Sequence, residues 1–178
     1  MKSEIKNSDP HLDAVDLQLL DALQRDSSTS NQDLAAQLHI SAPTCLRRVR
    51  RLHQMGLIER HVAIVRPEVL APFIGHGLQA LVEVTLERQH AEALDAFEAQ
   101  AVAEDSVQQC WRVAPGPDFM LVIACHDMPA YLALSQRLFT AHANVRNVKA
   151  FFATKRAKFS PHLPALQATT ARAQPGQD

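Results

Sequence analysis

The sequence of 178 residues contains few glycines and few aromatic residues, and none of its apolar runs is long. Five dispersed glycines are too few for a glycine-rich phosphate-binding loop. No apolar run approaches the roughly 18–20 residues that a membrane-spanning helix needs, so we expect no membrane partner. The opening stretch, MKSEIKNSDP, lacks the apolar core of a signal peptide, which predicts a cytoplasmic location.

Cysteine and histidine are present without the spacing of a metal or catalytic site. Cys45, Cys110 and Cys125 are an odd number, which favours buried thiols in a reducing compartment over a disulfide framework. The nine histidines are scattered, and no pair has the His-x-x-x-His spacing of a helical zinc site. A Gly-x-Ser-x-Gly elbow is also absent from the sequence. We therefore predict no metal site, no cofactor and no catalytic residues.

Charge is unevenly distributed along a chain whose formal net charge is only −1. Residues 34–58 contain no acid but include four arginines within residues 47–51. Residues 68–127 contain ten acids and two arginines, and residues 128–177 contain seven basic residues and no acid. The local distribution of charge is therefore more informative than the net charge, and the segment with four arginines is the one expected to bind an anionic partner.

Three short helices are predicted near the start of the chain. Asp13, Ser30 and Ser41 each precede an apolar pattern with helical spacing, and each has the side chain of a good N-cap. Pro43 is compatible with the first turn of the third helix, since first-turn amides have no partner within the helix. Gly56 is free to adopt positive φ, so it marks the end of that helix.

The third predicted helix has two sides of different character. On a wheel of about 100° per residue, its apolar side consists of Cys45, Leu46, Val49 and Leu52. The other side consists of Thr44, Arg47, Arg48 and Arg51, with Arg50 on the flank. One side is expected to pack, and the other to be open to solvent and strongly cationic.

A short turn before a basic third helix is typical of a helix-turn-helix, in which the second helix of the pair enters the major groove of DNA. The predicted DNA contacts are Ser30, Asn31, Ser41, Thr44, Arg47, Arg48, Arg50 and Arg51. We expect Thr44, Arg47 and Arg48 to approach bases and Arg51 to hold the phosphate backbone, because arginine binds guanine edges and phosphates in bidentate fashion. The alternative is a solvated cationic face that is salt-bridged to acids elsewhere in the chain.

The rest of the chain alternates strand-like and helix-like patterns. Residues 57–67 alternate in a way that indicates a short hairpin or a strand, and residues 63–77 are predicted to be a linker strand or hinge. Segments 78–87, 107–114, 118–126 and 145–159 are strand-like, and 90–105 and 128–142 are helix-like. The order βαββαβ is the ferredoxin-like arrangement. We thus predict an α+β fold: a helix-turn-helix (winged-helix-like) domain over 11–62, a ferredoxin-like domain over 78–159, and a disordered tail over 160–178.

Several of these residues also resemble a known family. Leu-Asp-Ala-Val-Asp at 12–16, Ser-Ala-Pro-Thr-Cys-Leu-Arg-Arg-Val-Arg-Arg-Leu at 41–52 and Gly-Leu-Ile at 56–58 resemble the leucine-responsive regulatory protein family, also called Lrp/AsnC or feast/famine regulators. The likeness extends over about residues 11–159. It implies a transcriptional regulator that binds double-stranded operator DNA. It also implies a homodimer, paired through the second domain and the linker strand, that assembles into tetramers or octamers and senses an amino acid.

The resemblance also implies an effector site at the turn between the second and third strands of the second domain. Members of the family often read Val-x-Gly-Asp-x-Asp-Tyr there, whereas this chain has Pro115 and Gly116 in place of the first Gly and Asp. Val113 and Asp118 match. The expected effector residues are therefore Val113, Pro115, Gly116 and Asp118, and the ligand either differs from the usual one or has a weak effect or none. Asp118 either pairs with the ammonium group of an amino acid or caps the turn.

Two other functions are compatible with this layout. One is an enzyme similar to tetrapyrrole-modifying decarboxylases, which does not require an acid-free arginine helix. The other is an architectural DNA binder that bends or wraps DNA without an effector.

Overall fold

The computed structural model describes residues 11–75 and 77–163, which form two compact units. The first unit comprises residues 11–63 together with 159–163, and the second comprises residues 64–158. The chain therefore leaves the first unit after Ala63 and returns to it at Phe159. Within the described residues, no helix has both the length and the apolar character needed to cross a bilayer.

The three predicted helices of the first unit are confirmed. They are α1 (Ala14–Arg25), α2 (Asn31–Gln37) and α3 (Ala42–Gln54). The expected caps are present: Asp13 forms a reciprocal capping box with Asp16, and the Ser30 and Ser41 hydroxyls accept hydrogen bonds from amides of the first turn. Gly56 has φ 71° just past the end of α3, in the left-handed region that glycine adopts without strain.

The first unit packs around a small apolar core. Its buried members are Leu19, Leu34, Ala35, Cys45 and Leu52. The four residues between α2 and α3 include His39, whose φ is 53°, so a histidine takes the left-handed position that glycine often fills in such turns. This turn brings α2 and α3 together against α1, as a helix-turn-helix requires.

The predicted strand and hairpin after α3 are wrong. Residues 58–66 form no regular element, and the predicted linker strand is replaced by a helix, α4 (Pro67–Ile74). Val62 and Ile64 are exposed, and the described part of the first unit contains no strand with which residues 58–63 can pair. Pro67 instead begins a helix, because its missing amide and fixed φ suit the first helical turn.

The second unit is a four-stranded antiparallel sheet with helices on one face, and the predicted ferredoxin-like order is confirmed. The strands are β1 (Leu78–Leu86), β2 (Val107–Arg112), β3 (Phe119–Cys125) and β4 (Val145–Phe152), in the spatial order β2-β3-β1-β4. The helices are α5 (Ala91–Val102) and α6 (Met128–Ser135), the latter continuing as a π-helical turn over Gln136–Thr140. In the register, Val82 lies opposite both Leu121 and Ala150.

The two faces of the sheet differ in burial. On the helix side, Phe97 of α5 packs against Phe119 of β3 with ring centroids 4.8 Å apart, within a core that also buries residues of α6. On the other side, Leu81 of β1, Trp111 of β2 and Phe151 of β4 are exposed. Exposed apolar patches are typical of surfaces that bind proteins, membranes or ligands.

The predicted disordered tail is wrong for its first residues. Residues 160–163 lie against α1, where His162 Nε2 is 2.9 Å from Asp21 Oδ1. Gln24 bonds both backbone groups of Leu163: its side-chain oxygen accepts from the amide at 2.7 Å, and its side-chain nitrogen donates to the carbonyl at 3.0 Å. Residues 164–178 lie outside the described part of the chain.

Candidate functional site

The candidate nucleic-acid interface is the outer side of α3. Ser41 caps this helix, and its hydroxyl lies 2.8 Å from the Thr44 hydroxyl. The two hydroxyls are therefore fixed together at the N-terminus of the helix, where the helix dipole and first-turn amides favour a phosphate.

Arg47 and Arg50 are the exposed arginines of this helix. Among the described residues, neither makes a hydrogen bond or an ion pair, so both guanidinium groups remain available to an anionic partner. Relative to the buried Cys45, Arg47 is rotated by about 160° and Arg50 by about 140° around the helix axis. They thus lie on the side of α3 that faces away from the core.

Arg48 and Arg51 belong to an ion cluster at the start of α1. Arg48 Nη1 donates to Asp13 Oδ2 and to Asp16 Oδ1, each at 2.8 Å. Arg51 donates through Nη1 to Asp16 Oδ2 at 3.0 Å and through Nη2 to the carbonyl of His11 at 2.9 Å. The Asp16 side chain is fully buried, whereas that of Arg48 is 20% exposed. These arginines hold α3 against α1.

The expectation that all four arginines form one open cationic face is therefore wrong. Arg48 is only about 60° from Cys45 around the helix axis, on the flank that faces α1. Its carboxylate partners are Asp13 and Asp16, in residues 11–16 rather than in the acidic middle of the chain. Arg48 is thus not free to approach a base in this structure, and Arg51 is held through both Nη1 and Nη2 of its guanidinium group.

The charges in this cluster shift each other's pKa values. The pKa of the Asp13 carboxyl is lowered, first by the Asp16 amide that donates to it and then by Arg48. The pKa of the Arg48 guanidinium is raised by its bonds to Asp16 and Asp13. The ionised forms of both residues are therefore favoured in the folded state.

The two predicted contacts on α2 are engaged within the unit. The Ser30 hydroxyl donates to Asp33 Oδ2 at 2.6 Å and caps α2. Asn31 is half-buried, and its side-chain oxygen lies 3.9 Å from Cys45 Sγ on the inner side of α3. Asn31 therefore contributes to packing between α2 and α3.

The predicted effector residues lie together at the turn between β2 and β3. Pro115 and Gly116 are exposed, the Ala114–Pro115 peptide is cis, and Val113 donates through its amide to the Asp118 carbonyl at 3.1 Å. Asp118 Oδ2 accepts hydrogen bonds from the Leu86 amide at 2.6 Å and from Gln89 Nε2 at 3.2 Å. One oxygen of this carboxylate thus holds the loop after β1, and Oδ1 has no hydrogen-bond partner among the described residues.

A surface pocket of about 450 Å³ lies beside the same loop, between α5 and the end of the π-helical turn. Its polar lining includes Arg88, His90, Glu92, Arg137, His142 and Asn144. Asn144 fixes Arg88 by accepting from its amide at 2.9 Å and donating to its carbonyl at 3.0 Å. Arg137 is held by Glu104, to which it donates through Nε at 3.2 Å and through Nη2 at 2.8 Å. Arg88 is therefore the guanidinium group of this pocket that can receive a carboxylate.

Two features of the first unit were not predicted from the sequence. One is the Asp13–Asp16 partnership with Arg48 and Arg51, for which the capping box at Asp13 was the only visible signal. The other is the pair His53 and His61, whose Nε2 atoms are 3.2 Å apart. They are eight positions apart in the sequence, and Gly56 between them was the available signal for a turn that brings them together. Among the described residues, no group of three or more His, Cys, Asp or Glu side chains is arranged to hold a metal.

Comparison with known proteins gives two matching domains and several full-length relatives. Residues 12–53 match the AsnC-type helix-turn-helix domain, and residues 79–163 match the Lrp/AsnC ligand binding domain. The chain is 33% identical to a leucine-responsive regulatory protein of Rhizobium meliloti over 147 residues, covering 83% of this chain and 92% of that protein. It is also 33% identical to the Bkd operon transcriptional regulator of Pseudomonas aeruginosa over 144 residues, covering 81% and 92%.

Solved structures show the same fold. A transcriptional regulator of Neisseria meningitidis in complex with L-Met superposes with a TM-score of 0.77 at 26% identity, covering 89% of this chain and 99% of that one. An AsnC family regulator of Agrobacterium tumefaciens superposes with a TM-score of 0.76 at 26% identity, covering 86% and 97%.

Proposed function

Since the chain belongs to the Lrp/AsnC family of transcriptional regulators, we propose that it binds operator DNA in the cytoplasm mainly through the outer side of α3. The main support for this proposal is that the four arginines of α3 differ in their contacts. Arg48 and Arg51 fix α3 to α1, and this leaves Arg47 and Arg50 facing outward without partners among the described residues. A helix held rigidly from behind presents its outer side chains in a fixed geometry, which direct base readout requires.

The enzyme alternative is excluded by the relatives, which are transcriptional regulators with the same two domains. Ser41 and Thr44 are proposed as further contacts, since their hydroxyls lie at the helix N-terminus. Ser30 is proposed as a backbone contact only, because its hydroxyl already caps α2. Asn31, Arg48 and Arg51 are assigned to supporting α3 rather than to direct base readout.

The DNA proposal is tested with sites recovered genome-wide from the source cell. Arg47→Ala and Arg50→Ala should each weaken binding to such a site by about 1–3 kcal/mol if the residue contacts a base. If the residue contacts a phosphate instead, its removal should weaken binding to all sequences. The plot of log affinity against log salt concentration should then be less steep by about 1. The measurement is fluorescence anisotropy at several salt concentrations.

Arg25→Ala is the matched control for these variants, since Arg25 is an exposed arginine of the same unit and lies on α1 rather than α3. It should bind the site as the unchanged protein does. If both α3 variants behave like this control, the outer side of α3 is not the DNA-binding surface.

We also propose that copies of the chain associate through the open face of the sheet. Leu81, Trp111 and Phe151 are 42%, 59% and 52% exposed there, which is unusual for large apolar side chains on a surface without a partner. A homodimer, assembling further to a tetramer or octamer, would cover them. Twofold pairing would make the operator approximately palindromic.

The proposed effector is an amino acid. Support comes from the match of residues 79–163 to a ligand binding domain and from the L-Met complex of the Neisseria regulator. We place it at the turn formed by Val113, Pro115, Gly116 and Asp118, where Asp118 Oδ1 is available to an ammonium group. The pocket beside Arg88 is the second candidate, since the Arg88 side chain in its lining suits the carboxylate of the same ligand.

Calorimetry with the twenty standard amino acids tests this proposal, and two variants separate the sites. Asp118→Asn removes the charge but keeps an oxygen that can accept from the Leu86 amide, so the loop after β1 should stay in place. Binding that is lost in this variant and kept in Arg88→Ala places the ligand at the turn, and the reverse places it in the pocket. Absence of heat with every amino acid contradicts amino-acid sensing.

A further inference from the structure

Two exposed histidines of the first unit face each other across the turn that ends α3. His53 lies in the last turn of α3, and His61 lies in the segment that follows it. Their ring centroids are 5.1 Å apart with the planes tilted by 49°, and their Nε2 atoms are separated by 3.2 Å. The Nε2 atoms of the two rings therefore lie next to each other near the protein surface.

Hydrogen bonds and packing fix the backbone after His53 as far as Ile58. The Gly56 amide donates to the His53 carbonyl at 2.9 Å, and the Leu57 amide donates to the Leu52 carbonyl at 3.1 Å. This pair of bonds is the Schellman arrangement that closes a helix C-terminus. Ile58 then packs against the apolar core of the first unit. The approach of the two rings is therefore supported by the fold rather than by the side chains alone.

We propose that His53 and His61 chelate a divalent transition-metal ion of the zinc, copper or nickel type. Imidazole nitrogens bind such ions at about 2.0–2.1 Å, so two nitrogens in a tetrahedral site lie roughly 3.3 Å apart. The observed separation of 3.2 Å matches this distance. Imidazole nitrogen is a preferred ligand of these ions, whereas harder cations such as Mg²⁺ and Ca²⁺ prefer oxygen ligands.

Two histidines form half of a tetrahedral site, and water is expected to complete it. The two Nε2 atoms must both be free of hydrogen to bind a metal, so each ring would carry its proton on Nδ1 in the bound form. Without metal, one Nε2 carries the proton and donates it to the other. The ion would tie the end of α3 to the segment that leads out of the first unit.

The full chain, purified without a histidine tag, tests the proposal by calorimetric titration with Zn²⁺, Ni²⁺ and Cu²⁺. We expect one ion per chain at this site, and His53→Asn and His61→Asn should each weaken its binding by at least about tenfold. With Cu²⁺, pulsed electron paramagnetic resonance should detect two coordinated imidazoles in the unchanged protein and one in each variant.

His39→Asn is the matched control, because His39 is exposed in the same unit and asparagine tolerates its positive φ. This variant should bind the metal as the unchanged protein does. Equal affinity in all three variants, or binding that is lost only when the thiols of Cys45, Cys110 and Cys125 are blocked, would overturn the proposal.

Discussion

At the scale of single residues, the neighbouring arginines 47 and 48 have opposite roles. Arg47 is exposed, whereas Arg48 lies between two carboxylates of α1 and has a buried Nε atom with no hydrogen-bond partner among the described residues. Asp16 is fully buried and depends on Arg48 and Arg51 for compensation of its charge. Removing one partner of such a cluster leaves a desolvated charge, which is costly.

Arg48→Met should therefore destabilise the first unit by about 1.5–3 kcal/mol, the range for lost hydrogen bonds to charged groups. Arg47→Met, the adjacent exposed position, should change stability by less than about 0.5 kcal/mol. Hydrogen exchange of the α1 and α3 amides in the full chain reports this local free energy. Equal protection in the two variants would show that the ion cluster does not stabilise the contact between these helices.

Asp13 makes the stability of the first unit dependent on pH. Its pKa is lowered in the folded state below the ordinary value of 3.8. The carboxylate therefore contributes stability that is fully present above the unfolded pKa and is lost as the pH falls through the lowered folded value. We expect amide protection in α1 to decrease on acidification in this range.

Asp13→Asn should flatten that dependence, since asparagine remains a good N-cap but does not titrate. The measurement is the protection of the α1 amides at a series of acidic pH values in both proteins. An acid dependence as steep in the variant as in the unchanged chain would assign the effect to other carboxylates.

At the scale of elements, the short segment over residues 160–163 changes the role expected of the end of the chain. Its contacts to Asp21 and Gln24 place it along α1. The hydrogen bond from His162, together with that from Arg25, lowers the pKa of Asp21. Since Asp16 of α1 also holds α3, this segment lies along the helix to which α3 is bound.

His162→Ala should release this segment from α1. Trypsin cleavage after Lys158 should then be accelerated by about fivefold, as expected for the loss of one hydrogen bond that restrains the chain. His126→Ala is the control, because His126 is an exposed histidine of the second unit that lies beside Asp127. Unchanged cleavage in His162→Ala would mean that the backbone bonds of Leu163 to Gln24 are sufficient.

The elements that could be predicted from the sequence are those with strong local signals. The caps Asp13, Ser30 and Ser41 and the stop at Gly56 located α1–α3, and the alternation in 78–86 located β1, because its even-numbered residues face the core. The element at 67–74 was predicted incorrectly. Its apolar residues favour strand and helix equally, and only Pro67 at the first position favours the helix.

At the scale of the whole molecule, the βαββαβ order was readable because each element has its own periodicity, but contacts that are distant in sequence were not. The partnership of Arg48 with Asp13 and Asp16 spans 35 and 32 residues, and that of His162 with Asp21 spans 141. No local pattern encodes such pairings. The arginine cluster therefore predicted a DNA-binding helix correctly as a class, while the assignment of individual arginines needed the fold.

The return of the chain to its starting unit at Phe159 means that two covalent links join the DNA-binding unit to the rest of the protein. If the chain were cut once near residue 64, the C-terminal fragment would still be bound to α1 through His162 and Leu163. The two fragments would separate only after a second cut or after the contacts of His162 and Leu163 with α1 had dissociated.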